Sequence, residues 1–363
     1  MAECIMVGCD LHDRTMLLKI AVDRGKAAVR SWATDRSSRA KMVEDLRKRA
    51  ANAGARRIVF AYEACGFGFR LHDELTAAGI EAYVLAPSKM HRSPHHRRRK
   101  TDEQDARAIL NIVRSYVLAG VDMPWVWIPE PATRDDRELV RLRLAVREDR
   151  SAAMIRIRWL LKRNGIEGTG SEGWTNEYWA RLQYLARGGL APGAAVALGS
   201  LMRQVEWLED EIGRLDRQVS ALAATPRYAP LVAALVKRKG VGVLTAMVYL
   251  TEMGDLSRFG NRREVGSYLG LTPSSYESGE DSDRKGHITH QGPARVRKVL
   301  CQAVWSRLRS VDHERQAYDR IARKNPKHKK VAVVARMRVL GIKLWHAGLE
   351  ALEAMRAEQK MSA

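Results

Sequence analysis

Four acids in this sequence have the types and spacing to do phosphoryl chemistry together: Asp10, Glu63, Asp102 and Asp105. Asp10 and Glu63 each follow a short apolar run, Ile5–Cys9 and Arg57–Tyr62, with the length and composition of a β-strand. Asp102 and Asp105 open a helical pattern one turn apart. Their carboxylates therefore share a face, with Cβ atoms ~5–6 Å apart. Hard oxygen ligands suit Mg2+, and two such ions ~3.5–4 Å apart can hold both oxygens of a phosphodiester displacement. A D-x-x-D pair at a helix start also has a structural reading, as negative charge against the N-terminal dipole. From residue types alone both readings stand. Asp13 makes a second D-x-x-D with Asp10, but the apolar run before Asp10 fixes that residue's position and favours it.

The basic run HHRRRK leads straight into Asp102. Arg97, Arg98, Arg99 and Lys100 would hold a nucleic-acid backbone where acid-bound metals can act on it, since phosphate contacts position a strand. A second candidate lies in GLTPSSYESGEDSDRKG, Gly270–Gly286, with Ser274, Ser275, Ser278 and Ser282 ahead of Arg284, Lys285 and His287. A serine attacks a phosphodiester when a base or metal takes its proton and cations stabilise the developing charge. Spacing does not choose among these serines, and such stretches also serve simply as turns. KGVG, starting at Lys239, has the form of a helix-hairpin-helix turn whose N–H groups hold phosphate, or of a plain tight turn. His287 and His290 lack the partners of a zinc site.

These residues need a frame. Met16–Val22 and Ala28–Trp32 flank a D-R-G-K turn and predict a hairpin; Glu81–Ala86 predicts a further strand. Helical patterns cover Ser37–Ala53 and Phe69–Ala78, and a helix starts at Thr101 as its N-cap. The expected fold class is α/β followed by α, with domains at 1–125, 126–225 and 226–363. The middle domain has the clearest periodicity: Leu201, Val205, Leu208, Ile212, Leu215, Val219 and Leu222 form a heptad seam about 30 Å long. Its partner is either Leu139–Leu161 of the same chain or another protomer. Asn164–Gly193, rich in Gly and Trp, reads as a loop or small subdomain, and Gly270–Gly292 as a polar loop.

Charge narrows the partner. The 363 residues carry 63 Lys and Arg against 42 Asp and Glu, a net charge of +21. Nine of those cations and no acid fall in Arg320–Leu349. Such an excess points to a polyanion, and the lack of a long apolar run argues against a membrane protein. The four cysteines have no metal or disulfide spacing, and the N-terminus lacks the design of a signal peptide. The expectation is a reduced, cytoplasmic, nucleoid-associated protein.

GCDLH around Asp10, AYEACG around Glu63, KTDEQDAR around Asp102 and Asp105, and GLTPSSYESG around Ser278 resemble the DEDD-type insertion-sequence transposases, relatives of the Piv-type DNA invertases. The resemblance spans nearly the whole chain, with order and spacing kept. It implies an N-terminal RuvC-like (ribonuclease H-like) domain, a helical coiled coil and a mostly helical C-terminal transposase domain. It implies Mg2+ on Asp10, Glu63, Asp102 and Asp105, and Ser278 as the nucleophile that forms a 5′-phosphoserine link. It further implies a homo-oligomer, dimer to tetramer, guided by a noncoding bridge RNA that pairs with donor and target DNA. Lys239, Arg284, Lys285, Arg297 and Lys298 join Arg97–Lys100 as candidate nucleic-acid contacts. A metal-dependent resolvase-like nuclease and a non-catalytic nucleic-acid scaffold are the competing functions; an actin-like phosphotransferase lacks a second glycine-rich phosphate loop. Two positions depart from the family pattern: His290 stands where a lysine or arginine is expected, and Asp13 where many relatives carry lysine.

Overall fold

The computed structural model describes residues 3–90, 101–166, 173–275 and 285–362, which divide into two compact units at Ile128. The first unit is built on a mixed five-stranded sheet of β1 (Cys4–Leu11), β2 (Thr15–Val22), β3 (Ala28–Ala33), β4 (Arg57–Glu63) and β5 (Glu81–Leu85). Its order is β3-β2-β1-β4-β5, with the hairpins antiparallel and β1, β4 and β5 parallel. Alternation along the strands sorts two cores. Ile5, Val7 and Cys9 face α1 (Arg36–Ala53) and α2 (Arg70–Ala77), packing with Met42, Leu46, Leu71 and Leu75. Cys4, Met6, Val59 and Ala61 face α3 (Asp102–Ala119), packing with Ile109, Leu110 and Val113. A strand covered on both faces is apolar throughout, which is why both runs stand out in the sequence.

Both strands run further than their apolar residues. Asp10 pairs with Leu17 and Leu11 with Met16, while Glu63 pairs with Leu85. The two acids thus stand within strands rather than beyond them, because the neighbouring strands continue the ladder. Gly8 lets α3 lie directly on β1: a Cβ there would overlap the Leu110 amide nitrogen and the Ala106 carbonyl oxygen.

The second unit is helical. α4 (Pro131–Arg163) and α6 (Pro192–Ala223) pack antiparallel, joined through α5 (Asn176–Tyr184) and one π-helical turn, Leu185–Gly189. Arg143 pairs with Asp216 and Arg150 with Glu209, a register that turns the heptad seam onto α4. Val205, Leu208 and Leu215 are buried against Val146, Ala153 and Ile157, so the seam's partner is a helix of the same chain. Among its described residues the Gly/Trp-rich stretch is largely helical, because Thr175 caps α5 through the Tyr178 amide and Tyr178 and Leu182 enter the same core.

Helices α7 (Ala229–Val236), α8 (Val243–Met253), α9 (Arg262–Tyr268), α10 (Ala294–Ser310), α11 (Asp312–Lys324) and α12 (Lys330–Ser362) complete this unit. Gly270–Gly292 is not simply a loop: Pro273–Ser275 (β6) and Lys285–Ile288 (β7) pair as an antiparallel hairpin. Among the described residues no helix is long and apolar enough to cross a membrane.

Candidate functional site

Helix α3 starts where the sequence placed it. Thr101 Oγ1 accepts from the Gln104 amide at 3.3 Å, the interaction that defines an N-cap. Asp102 and Asp105 then lie on the helical face continued by Ala106 and Ile109, which packs on the sheet. Asp10 follows Gly8, and Glu63 follows Ala61, on the strand positions that face α3. The β1–β4 register ends at Cys9 with Tyr62, so the next residue of each strand is one of these acids. Two strands and one helix start thus deliver all four carboxylates to one end of one sheet face.

The tightest part of the site includes a residue that the sequence reading did not select. His12 Nε2 stands 3.0 Å from Asp10 Oδ2 and 3.4 Å from Asp102 Oδ1. One ligand atom from each of Asp10, His12 and Asp102 lies within 4.8 Å of the others. The signal was its place two residues after Asp10, just past the end of β1. It was missed because the apolar run stops at Cys9 while the strand continues to Leu11. Burial raises the Asp10 carboxyl above its usual range; His12 opposes that rise, and the negative charges of Asp105 and Asp102 add to it. The site therefore concentrates negative charge around a partly buried carboxylate, which a divalent cation would relieve. Two ligand atoms at right angles around an ion with ~2.1 Å bonds stand about 3 Å apart, so these separations fit such a cation.

Lys19 of β2, also missed, braces the site. It is only 4% exposed, and its Nζ reaches Glu103 Oε1 at 2.5 Å, tying the first turn of α3 to the sheet. A lone lysine in an apolar strand gives no sign of its partner 84 residues away.

The second candidate site is framed rather than displayed. Ser278, Arg284 and Arg97–Lys100 lie outside the described residues, and Lys285 opens β7. Gly270 and Gly292, both with positive φ, let the chain cross itself below the hairpin: a Cβ on Gly270 would overlap Gln291 O, and one on Gly292 would overlap Tyr268 O. Arg297 fastens this crossing. Its Nη1 donates to the carbonyls of Leu269, Gln291 and Gly292, and its Nη2 to that of His290. Ser274 Oγ adds a bond to His287 O at 2.9 Å.

Three expected nucleic-acid contacts have partners inside the chain. Arg297 is committed to those carbonyls, Lys298 pairs with Glu148, and Lys239 Nζ donates to Ser310 O at 3.0 Å. The KGVG turn is held by Gly240 at φ 86° and by Arg307 donating to the Lys239 carbonyl. More open cations line a cleft of about 790 Å3 between Gly286–His287 and residues 326–331, where Lys327, Lys329 and Lys330 gather beside the foot of the hairpin.

Comparison with known proteins bears on both sites. A family model described as "Transposase", of the DEDD IS110 type, matches residues 7–165, and one described as "Transposase IS116/IS110/IS902 family" matches residues 232–320. The provisionally named transposase y4rJ of Sinorhizobium fredii is 30% identical over 289 residues, covering 76% of this chain and 72% of its own. The chain belongs to the IS110 family of transposases. The provisionally named transposase y4qE of the same organism is 27% identical over 302 residues, 83% of this chain and 71% of the relative. The transposase for insertion sequence element IS1111A of Coxiella burnetii is 26% identical over 255 residues, 69% of this chain and 66% of the relative. The protein is accordingly a DNA transposase, an enzyme of strand transfer. The first match contains all four acids and His12, and the second contains Ser278 and the hairpin.

Proposed function

We propose that this transposase moves its insertion sequence by metal-dependent serine recombination guided by a noncoding RNA. The observation that carries the reading is the cluster of Asp10, His12 and Asp102 at one end of the sheet, with Glu63 at the end of the adjacent strand β4 and Asp105 one turn along the helix from Asp102. It supports a ribonuclease H-like site built on Asp10, Glu63, Asp102 and Asp105. These acids would hold Mg2+ or a similar cation, whose chemistry is to draw charge from the phosphodiester oxygens and lower the pKa of the attacking hydroxyl. Ser278 Oγ attacks phosphorus, loses its proton, and expels the 3′ oxygen, leaving a 5′-phosphoserine link and a free 3′ hydroxyl. Attack by that hydroxyl on the phosphoserine of the other DNA restores a phosphodiester and returns the serine. Arg97–Lys100, Arg284 and Lys285 position backbone phosphates, and the Lys327–Lys330 cluster extends that surface. Base pairing by the RNA supplies sequence choice, so this chain needs few base contacts. A homo-oligomer, dimer to tetramer, brings the acidic site of one protomer to the serine of another in the bacterial cytoplasm.

The test is covalent trapping. Protein, its flanking noncoding RNA, labelled donor and target DNA and Mg2+ are mixed, denatured and separated, with Ser278→Ala in parallel. An adduct that requires Ser278 supports serine recombination. Cleavage without an adduct, unaffected by Ser278→Ala, would mean that water is the nucleophile and the protein acts as a resolvase-like nuclease.

A further inference from the structure

The acids of the proposed metal site are all oxygen donors, and such a set favours Mg2+. His12 changes that set. Its Nε2 lies at 3.0 and 3.4 Å from oxygens of Asp10 and Asp102, within the spacing of neighbouring ligands around one ion. The residue stands just past the end of β1, in the β1–β2 connection, and its backbone is pinned there: its amide donates to the Thr15 carbonyl at 2.9 Å, closing the hairpin. Its ring is 43% exposed and Asp102 58%, while Asp10 is 15% exposed, so an ion arriving from solvent meets Asp102 and the imidazole at the mouth of the site and the Asp10 carboxylate behind them.

We propose that His12 is a direct ligand of the cation held by Asp10 and Asp102, giving the centre one nitrogen among oxygens. The proposal rests on the metal-site reading above and adds to it a donor of a different chemical class. With the ring proton on Nδ1, the Nε2 lone pair would face the ion. Imidazole raises affinity for first-row transition cations much more than for Mg2+, whose preference is for oxygen. The centre therefore selects Mn2+ over Mg2+ when both are offered at equal concentration.

The test uses the full-length protein with Mn2+ alone. Electron spin-echo envelope modulation of the bound ion reads directly whether a nitrogen is coordinated. The wild type is expected to bind Mn2+ and to show imidazole 14N modulation. His12→Asn, checked for folding by circular dichroism, should lose the modulation and weaken Mn2+ binding ~10-fold or more, leaving Mg2+ binding nearly unchanged. Asp102→Ala serves as the site control, since histidines elsewhere would keep their signal in it. Stoichiometric Mn2+ binding that depends on Asp102 but carries no nitrogen modulation would overturn the proposal and leave an all-oxygen metal site standing. Modulation that persists in His12→Asn would likewise overturn it. Mn2+ binding that is absent, or indifferent to Asp102→Ala, would overturn both the proposal and the metal-site reading beneath it.

Discussion

Asp10 and Glu314 are both carboxylates withdrawn from water, and their surroundings push them in opposite directions. Asp10 shares its end of the sheet with Asp102 and Asp105, so burial and like charge raise its pKa and His12 compensates only in part. Glu314, in the helical unit, is only 4% exposed, and burial alone would raise it too. There, Arg307 at 2.8 Å and Arg336 at 2.5 Å donate to it, with Lys343 at 3.6 Å, and they bring it down to about 2. The Glu314 cluster contains its own cations; around Asp10 burial and the neighbouring acids prevail over His12. A carboxylate that serves the fold is neutralised by the fold, and one held in excess is poised for something from outside.

The largest way to break this comparison is functional. Asp102→Ala should lower strand exchange by ~10³-fold, the scale of losing electrostatic stabilisation at a reaction centre, while binding of the proposed guide RNA is retained. Normal recombination in that variant would end the metal assignment. The next effect concerns stability. Glu314→Gln leaves Arg307 and Arg336 buried without their counter-charge and should cost about 3–5 kcal/mol by chemical denaturation. Asp102→Asn in metal-free protein should cost nothing or raise the melting temperature slightly. If the two substitutions destabilise alike, the contrast between the clusters is false.

Gly8→Ala sharpens it from the other side. The added methyl must push α3 off β1, destabilising by ~1–3 kcal/mol and separating Asp102 from Asp10. Thermal stability by calorimetry and Mn2+ affinity should therefore fall together. The pH dependence has opposite signs at the two clusters. Glu314, depressed when folded, stabilises fully above the ordinary carboxylate pKa of ~4.3, and that contribution fades as pH falls toward about 2. Asp10, raised when folded, favours the fold at low pH and loses that contribution as pH rises through its folded value, in the absence of metal. Denaturation profiles of Glu314→Gln and Asp10→Asn should differ from wild type in these opposite senses. The smallest effect is on salt dependence: replacing Arg97–Lys100 with glutamine should flatten the log–log slope of DNA binding by ~0.9 for each duplex phosphate that these side chains neutralise.

What could be read in advance followed from periodicity. The two strands showed because both their faces are buried, and α3 showed because Thr101 and the acids after it write a helix start. The heptad seam gave the long helix α6 but left its partner open; Arg143 opposite Asp216 and Arg150 opposite Glu209 settle it within the chain. His12 escaped because it lies beyond the apolar run that marks the strand, and Lys19 because its partner Glu103 lies on another element. The internal partners of Arg297 and Lys298 were hidden for a different reason. A cation in a basic protein reads as a phosphate contact, whereas Arg297 directs its hydrogen bonds to carbonyls that carry no sequence signature. Glu148 lies 150 residues from Lys298, too far along the chain for the pairing to be visible.

The Arg297 fastening bears on how this protein can vary. One guanidinium, with Gly270 and Gly292, secures both feet of the β6–β7 hairpin from below, so the connection between them is hung on a frame that does not depend on its contents. Closing a longer connection is inexpensive, about 0.6 kcal/mol for each doubling of its length. Insertions of one or two residues between Ser275 and Lys285 would then leave the helical unit intact and change only the reach of Ser278. A series of such insertions would measure the distance over which the proposed nucleophile must work.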